Sequence, residues 1–249
     1  MNAAKKILIL FMALVFLGGL AYALYPAVNG AILTKSAGYA AEAFLNKTET
    51  IRAQRPSITD VDMPVDIELP YQKLLDAMKE YNERIYREKQ TGLCDAWAYQ
   101  KPSFDLTEYG IEDGVIGVIS IPKLDIEMPI YLGATYDNMA KGAAHLSQTS
   151  LPIGGENTNC VIAGHRGWNG ADYFRYIDRL EPGDTVTITN LWEALTYTVS
   201  DIKIIDPDDV DEIHIQEGKN MLTLLTCHPY GSGGKYRYVT YCTRQFLLF

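Results

Sequence analysis

The chain has 249 residues, which leaves room for one sizeable domain or two small ones and excludes a large multidomain protein. Hydrophobic residues make up 47% of it and charged residues 21%, a balance typical of a globular protein. The net charge of −9 argues against a nucleic-acid partner, because such proteins need a surplus of Lys and Arg to displace counterions. The four cysteines include no C-x-x-C pair, which argues against structural zinc.

The N-terminus predicts a membrane anchor. Lys5 and Lys6 precede an uncharged run, Ile7 to Leu24, whose helix would reach about 27 Å and cross a hydrocarbon core. The two lysines favour a cytoplasmic tip, so residues 1–27 form tip and anchor and the rest of the chain lies outside. A cleaved signal peptide is an alternative, because residues 21–23 read Ala-Tyr-Ala. A buried core helix is disfavoured because no polar face interrupts the run.

Three regions follow the anchor. Residues 28–90 are predicted to be mostly helical, because apolar residues between 74 and 86 recur every three or four positions among charged ones. Prolines at positions 56, 64 and 70 divide the earlier part of this region. Residues 91–110 lack periodicity and form a loop rich in aromatics, and residues 111–249 have the composition of a β domain.

Short runs rich in Val, Ile, Thr and Tyr, separated by Gly, Pro and Asp, predict seven strands in the β domain. One short helix is expected among them, at Asp172 to Leu180. Strands at this spacing favour an antiparallel barrel or sandwich. The predicted strands are Val115–Ser120, Met128–Leu132, Asn159–Ala163, Thr185–Thr189, Ala194–Ile205, Met221–Cys227 and Tyr236–Arg244.

Cys227 is the candidate nucleophile. It ends an apolar strand and is followed at once by the turn residues His-Pro-Tyr-Gly, so its thiol is held rigidly and remains reachable. Cys160 and Cys242 lie within strand-like runs and are interpreted as small core residues.

His165 is the candidate proton carrier, since it stands in a glycine-flanked turn that leaves an apolar strand. His228 is the rival, because it adjoins Cys227, although neighbouring residues that leave a strand tend to point apart. His145 and His214 have no comparable setting and are open to a structural role.

Arg237 is the third candidate. If the strands flanking residues 228–236 form a hairpin, Arg237 starts the return strand close to Cys227, where its guanidinium can stabilise an oxyanion. Arg244 lies seven residues further along, about 23 Å away at strand rise, and is the weaker choice.

These residues together resemble the signature of the sortase family: a TLxTC strand (Thr223 to Cys227), a downstream arginine (Arg237) and an upstream histidine (His165). The resemblance covers about residues 115–244. It implies a closed antiparallel β-barrel of about eight strands with short helices. It also implies Cys227 as nucleophile, His165 as general acid and base, and Arg237 as the group that positions substrate and oxyanion, with no metal and no cofactor.

A subgroup is also indicated. Residues 145–155, 164–167 and 229–231 resemble the class C sortases, which polymerise pilins. Members of that group have a helical N-terminal region and a lid that plugs the active site. By this resemblance residues 91–110 are the lid, in which Asp95 pairs with the arginine and Trp97 covers the cysteine.

The resemblance implies a membrane-anchored transpeptidase with an extracellular catalytic domain. It would cleave an LPxTG-like sorting signal of a pilin or surface protein through a thioacyl-enzyme and transfer the acyl group to an amine, a pilin lysine in class C. The alternatives are a housekeeping-type sortase that uses a cell-wall cross-bridge amine, a thiol hydrolase, and an inactive pilin-binding module. Calcium at the acidic run 206–212 and a disulfide between Cys94 and Cys227 are minor alternatives.

Overall fold

The computed structural model describes residues 3–53, 69–103 and 105–244, and the prolines at positions 56 and 64 lie outside them. These described residues form three α-helices and eight strands. The helices are α1 (Ala3–Ala53), α2 (Gln72–Arg87) and α3 (Tyr136–Lys141). The strands are β1 (Val115–Ile121), β2 (Ile126–Leu132), β3 (Ala143–His145), β4 (Thr158–Ala163), β5 (Thr185–Thr189), β6 (Ala194–Ile205), β7 (Asn220–His228) and β8 (Tyr236–Thr243).

The strands close into a barrel in the order β1-β2-β3-β4-β7-β8-β6-β5, which confirms the predicted closed barrel of eight strands. The expectation of a wholly antiparallel barrel needs correction, because β2 pairs with β3 in parallel and β4 pairs with β7 in parallel. Both pairs are joined by connections longer than a hairpin, which leave the second strand free to run in the same direction as the first.

All seven predicted strands are present within two residues of their predicted bounds. The eighth, β3, has only three residues, too few to give a strand pattern. The prediction of a short α-helix at Asp172 to Leu180 is wrong. The segment is a series of turns with one 3₁₀ turn at Ile177–Arg179. The sequence pattern is misleading because Phe174, Ile177 and Leu180 are buried at the three-residue spacing typical of a helix. The left-handed backbone of Tyr173 (φ 41°) prevents a regular α-helix there.

Helix α1 runs without a break across the predicted boundary between residues 27 and 28. Its first half is exposed and is long and apolar enough to cross a membrane. From Gly30 onward, one face is buried on the barrel, and helix α1 lies against β1 and β2. That face consists of Gly30, Ala37, Ala41, Phe44, Thr48 and Ile51.

Helix α2 presents its apolar face to the same core. Buried Asn82 joins the helix to the barrel: its amide oxygen accepts from the backbone N–H of Leu151 at 2.7 Å, and its nitrogen donates to the Leu151 carbonyl at 3.4 Å. The segment between α2 and β1 then reaches the end of the barrel where β7 finishes, since Asp95 bonds to Arg237, the cross-strand partner of Cys227. Ser147 also holds this segment by donating to the Lys101 carbonyl at 2.6 Å.

Candidate active site

The parallel pair β4 and β7 brings His165 and Cys227 to the same end of the barrel. Ala163 lies opposite Leu225 in the register, so the residues two positions further along each chain emerge side by side. Two bonds extend the pairing beyond β4: the Gly164 N–H donates to the Leu225 carbonyl at 3.1 Å, and the Thr226 hydroxyl donates to the Gly164 carbonyl at 2.7 Å. Direction and register together therefore bring His165 and Cys227 to the same end of the barrel.

The antiparallel pair β7 and β8 supplies the arginine. Cys227 and Arg237 are direct cross-strand partners, as the predicted hairpin required, and Nη1 of Arg237 lies 3.9 Å from the Cys227 sulfur. The same nitrogen donates to the Gly234 carbonyl at 2.7 Å, which fixes the guanidinium against the hairpin loop. Arg244 follows the opposite end of β8, where its guanidinium lies near Gly154, so it does not join this cluster.

Gly234 lets the hairpin loop fold onto the thiol. Its φ of 85° is left-handed, and a Cβ there would lie 3.1 Å from both the Cys227 sulfur and Nη1 of Arg237. A side chain at this position would push into the space between the Cys227 sulfur and the guanidinium of Arg237.

Residues 95–97 lie against this cluster. Asp95 makes a bidentate ion pair with Arg237, at 2.6 Å from Oδ1 to Nε and 2.6 Å from Oδ2 to Nη2. Oδ2 also accepts from the backbone N–H of Trp97 at 3.2 Å and so caps a 3₁₀ turn, Ala96–Ala98. The indole ring of Trp97 lies 4.5 Å from the guanidinium carbon of Arg237 and edge-on to His165 with ring centres 6.1 Å apart.

The covered site holds the thiol and the imidazole in their neutral forms. Burial raises the pKa of Cys227 to about 11; Arg237 and Arg166 oppose this rise, and Asp95 adds to it. Burial lowers the pKa of His165 to about 4, and its ring stacks on Trp168 with centres 4.3 Å apart. Near neutral pH the two groups are therefore a thiol and a neutral imidazole.

Arg166 is a second buried guanidinium at the site, which the sequence analysis did not select. Its Nη2 binds the carboxylate of Asp178 at 2.5 Å, and its Nη1 lies 2.7 Å from Nδ1 of His228. Because arginine only donates, Nδ1 of His228 accepts, and this imidazole is a bonding partner of Arg166. The position of Arg166 in the glycine-flanked turn after His165 was the signal that could have identified it.

The other candidates lie in structural settings. His145 is fully buried and shares its Nε2 with Ser150 and Thr149, and burial lowers its pKa to about 4. Half-buried His214 has its Nδ1 3.2 Å from the Asp211 carboxylate. Cys160 and Cys242 are buried in the core, and all four cysteines, Cys94 included, are free thiols.

The acidic run folds as a turn and a 3₁₀ helix, Val210–Ile213. Within it, the Glu212 carboxylate binds Lys203 at 2.6 Å and Tyr241 at 3.1 Å. Among the residues that the structure describes, no group of three or more His, Cys, Asp or Glu side chains is placed to hold a metal ion.

Comparisons with known proteins agree on one family. The family model described as the sortase domain matches residues 119–245. Sortase D of Bacillus subtilis (strain 168) is 35% identical over 130 residues, which are 51% of this chain and 63% of that protein. The chain thus matches less than two thirds of the length of this curated relative.

Two solved structures extend the similarity beyond the barrel. Sortase C1 of Streptococcus agalactiae, in complex with MTSET, is 28% identical with a TM-score of 0.66, covering 80% of this chain and 97% of that one. Sortase C1 of pilus island 1 of group B Streptococcus is 26% identical with a TM-score of 0.67, covering 84% of this chain and 94% of that one.

Proposed function

The chain belongs to the sortase family of cysteine transpeptidases, and on that premise we propose that it cleaves an LPxTG-like sorting signal between Thr and Gly and transfers the acyl group to an amine. One observation carries the proposal: strands β4, β7 and β8 deliver His165, Cys227 and Arg237 to one end of the barrel, with Arg237 Nη1 3.9 Å from the sulfur. A nucleophile, a proton carrier and a fixed guanidinium are the groups that acyl transfer requires.

In the first half-reaction, the Cys227 thiol gives its proton to His165, and the sulfur attacks the carbonyl carbon of the Thr–Gly bond. Arg237 donates hydrogen bonds to the oxyanion of the tetrahedral intermediate and to the bound peptide. When the C–N bond breaks, the departing glycine amine takes the proton from His165, and a thioester remains on Cys227.

In the second half-reaction, the nitrogen of an incoming amine attacks the thioester carbon. The amine loses a proton to His165, a new amide bond forms, and the thiolate of Cys227 leaves and is reprotonated. Water competes with the amine at this stage, so a site that excludes water favours transfer over hydrolysis.

Residues 91–110 act as the lid in this proposal and hold the enzyme in a resting state. The Asp95 carboxylate occupies two of the nitrogen atoms of Arg237 that substrate would need, and its negative charge adds to the raised pKa of the thiol. Trp97 packs on both Arg237 and His165. Opening the lid therefore frees the guanidinium and hydrates the thiol in one step.

A pilin lysine is the proposed acceptor, and the class C structural similarity supports it: one matching sortase comes from a pilus island. The uncharged, exposed run of helix α1 from Ile7 to Leu24 and the two lysines before it support a membrane anchor, with the barrel on the outer side.

Mass spectrometry of the enzyme incubated with an LPxTG peptide, with and without a lysine-bearing acceptor, tests the proposal. We expect a thioester adduct and, with acceptor, a peptide joined through the lysine amine. Cys227→Ala should abolish both, while Cys242→Ala, which removes a buried thiol from the neighbouring strand, should keep them.

Arg237→Ala should still bind peptide but yield little adduct. An adduct in Cys227→Ala would refute the mechanism, as would the absence of any adduct in Asp95→Asn, whose lid is opened while Cys227 is intact. Joining to a cell-wall amine in preference to lysine would assign the housekeeping role, and release to water alone a hydrolase.

A further inference from the structure

Helix α1 and the loop that follows His165 touch through two glycines. A Cβ at Gly30 would overlap the Gly170 carbonyl group and approach its Cα to 2.8 Å, and a Cβ at Gly170 would overlap the carbonyl of Pro26. Gly170 also needs its left-handed φ of 94°. The side chain of Asn29 donates to the Asn169 carbonyl at 3.0 Å beside this contact. The loop is thus fitted closely to residues 26–30 of α1.

This contact lies at the outer edge of the apolar part of the helix. Gly30 is six residues beyond Leu24, about 9 Å along the axis, and the headgroup layer of one leaflet is about 5–8 Å thick. At the same level the free face of α1 is still apolar, since Val28 and Ile32 are 57% and 60% exposed. The first charged residue after Lys6 is Lys35.

The surface around the contact carries amphipathic aromatic side chains. Trp168 meets exposed Tyr136 edge-on at 5.7 Å between ring centres. Exposed Tyr230 lies on the other side of the loop, where a Cβ on Gly167 would approach its ring to 3.2 Å, and the guanidinium of Arg175 lies 4.6 Å from that ring. Tyr and Trp with adjacent arginine are the residues that favour the membrane–water interface.

We propose that this loop face, defined as residues 167–170 with Tyr136 and Tyr230, lies against the lipid headgroups of the membrane that α1 spans. The proposal rests on the membrane anchor of the proposed function. His165 stacks on Trp168, so the loop that touches lipid is the loop that carries the proton carrier. The active site then lies close to the membrane surface.

Depth-dependent quenching of tryptophan fluorescence tests this placement. The full chain would be reconstituted in nanodiscs containing phosphatidylglycerol, with a nitroxide either at the lipid headgroup or at the end of an acyl chain. In one variant Trp168 is the single remaining tryptophan, and in its matched control Trp192 is the single remaining tryptophan. Both variants carry Trp97→Phe. Trp192 serves as the control because it lies far from Gly30. Its indole N–H donates to the Pro70 carbonyl, and the ring of the next residue, Tyr71, lies 4.9 Å from the Lys47 ammonium. Lys47 is about 26 Å beyond Gly30 along α1.

We expect the headgroup nitroxide to remove most of the Trp168 emission and leave that of Trp192, while the acyl-chain nitroxide quenches Trp168 less. Gly30→Ala should push the loop away and reduce the quenching of Trp168. Gly38→Ala in the same helix meets nothing within 4 Å and should leave the quenching unchanged.

Equal quenching of the two tryptophans, or identical behaviour of Gly30→Ala and Gly38→Ala, overturns the proposal. Because the quenching is measured without peptide, its result does not depend on whether the enzyme catalyses transpeptidation. Release of the chain from the nanodisc would instead refute the anchor and, with it, this placement.

Discussion

Replacing Asp95 by Asn should activate the nucleophile. The substitution removes a negative charge that raises the pKa of Cys227 and weakens the ion pair that holds Trp97 over Arg237. With the lid open, the thiol pKa returns from about 11 toward its ordinary value of 9.0. The thiolate fraction at neutral pH then rises about 100-fold, and the lower nucleophilicity of the less basic thiolate takes back about tenfold. The net acceleration is about tenfold.

Alkylation of Cys227 by iodoacetamide, followed by peptide mass spectrometry, measures this rate, and its pH dependence gives the thiol pKa. Asp105→Asn is the matched control. Asp105 accepts from the Thr107 N–H at 3.0 Å and so caps the 3₁₀ helix Leu106–Tyr109, just as Asp95 caps its own 3₁₀ turn. Unlike Asp95, Asp105 makes no bond to Arg237 in the described structure. Wild-type labelling of Asp95→Asn, or equal acceleration in Asp105→Asn, would refute the reasoning.

Three further predictions concern buried polar groups. In an Asp95→Asn background, Arg166→Met should raise the pKa of Cys227 and slow alkylation severalfold, whereas Arg166→Lys keeps the charge and should restore part of the rate. Asn82→Ala leaves a buried peptide group unpaired and should lower the free energy of unfolding by about 2–3 kcal/mol in urea. His145 has a folded pKa of about 4 against 6.5 unfolded, so the unfolded state binds more protons between these values. The free energy of unfolding should therefore fall as pH drops from 6.5 toward 4, by up to about 3 kcal/mol from this group, in urea titrations at several pH values.

Each of these has a clear contrary result. An unchanged alkylation pH profile in Arg166→Met would assign Arg166 a purely structural role. Glu83→Ala, on the exposed side of α2, should have little effect on unfolding, and an equal loss there would remove the special role of Asn82. A flat unfolding free energy between pH 6.5 and 4 would contradict the buried, neutral state of His145.

Several parts of the site were predictable because they depend on short stretches of chain. Cys227 lies near the end of an apolar strand, and only the glycine-containing loop 229–235 separates β7 from β8, so the hairpin and the pairing with Arg237 follow from one stretch of consecutive residues. The predicted uncharged run of α1 is also local, since helix rise and hydropathy are properties of consecutive residues. The pairing of Asp95 with Arg237 came from family resemblance, because 142 residues separate them.

What the tertiary structure decided depends on residues distant in sequence. Strand periodicity does not specify direction, so the parallel pairing of β4 with β7, which sets His165 beside Cys227, emerges only when the barrel closes. The contact of Arg166 with His228 spans 62 residues, and that of Gly30 with Gly170 joins the long helix α1 to a loop of the barrel. Side-chain chemistry names the reactive groups, but their distances are fixed by the packing of the whole barrel, which no local pattern encodes.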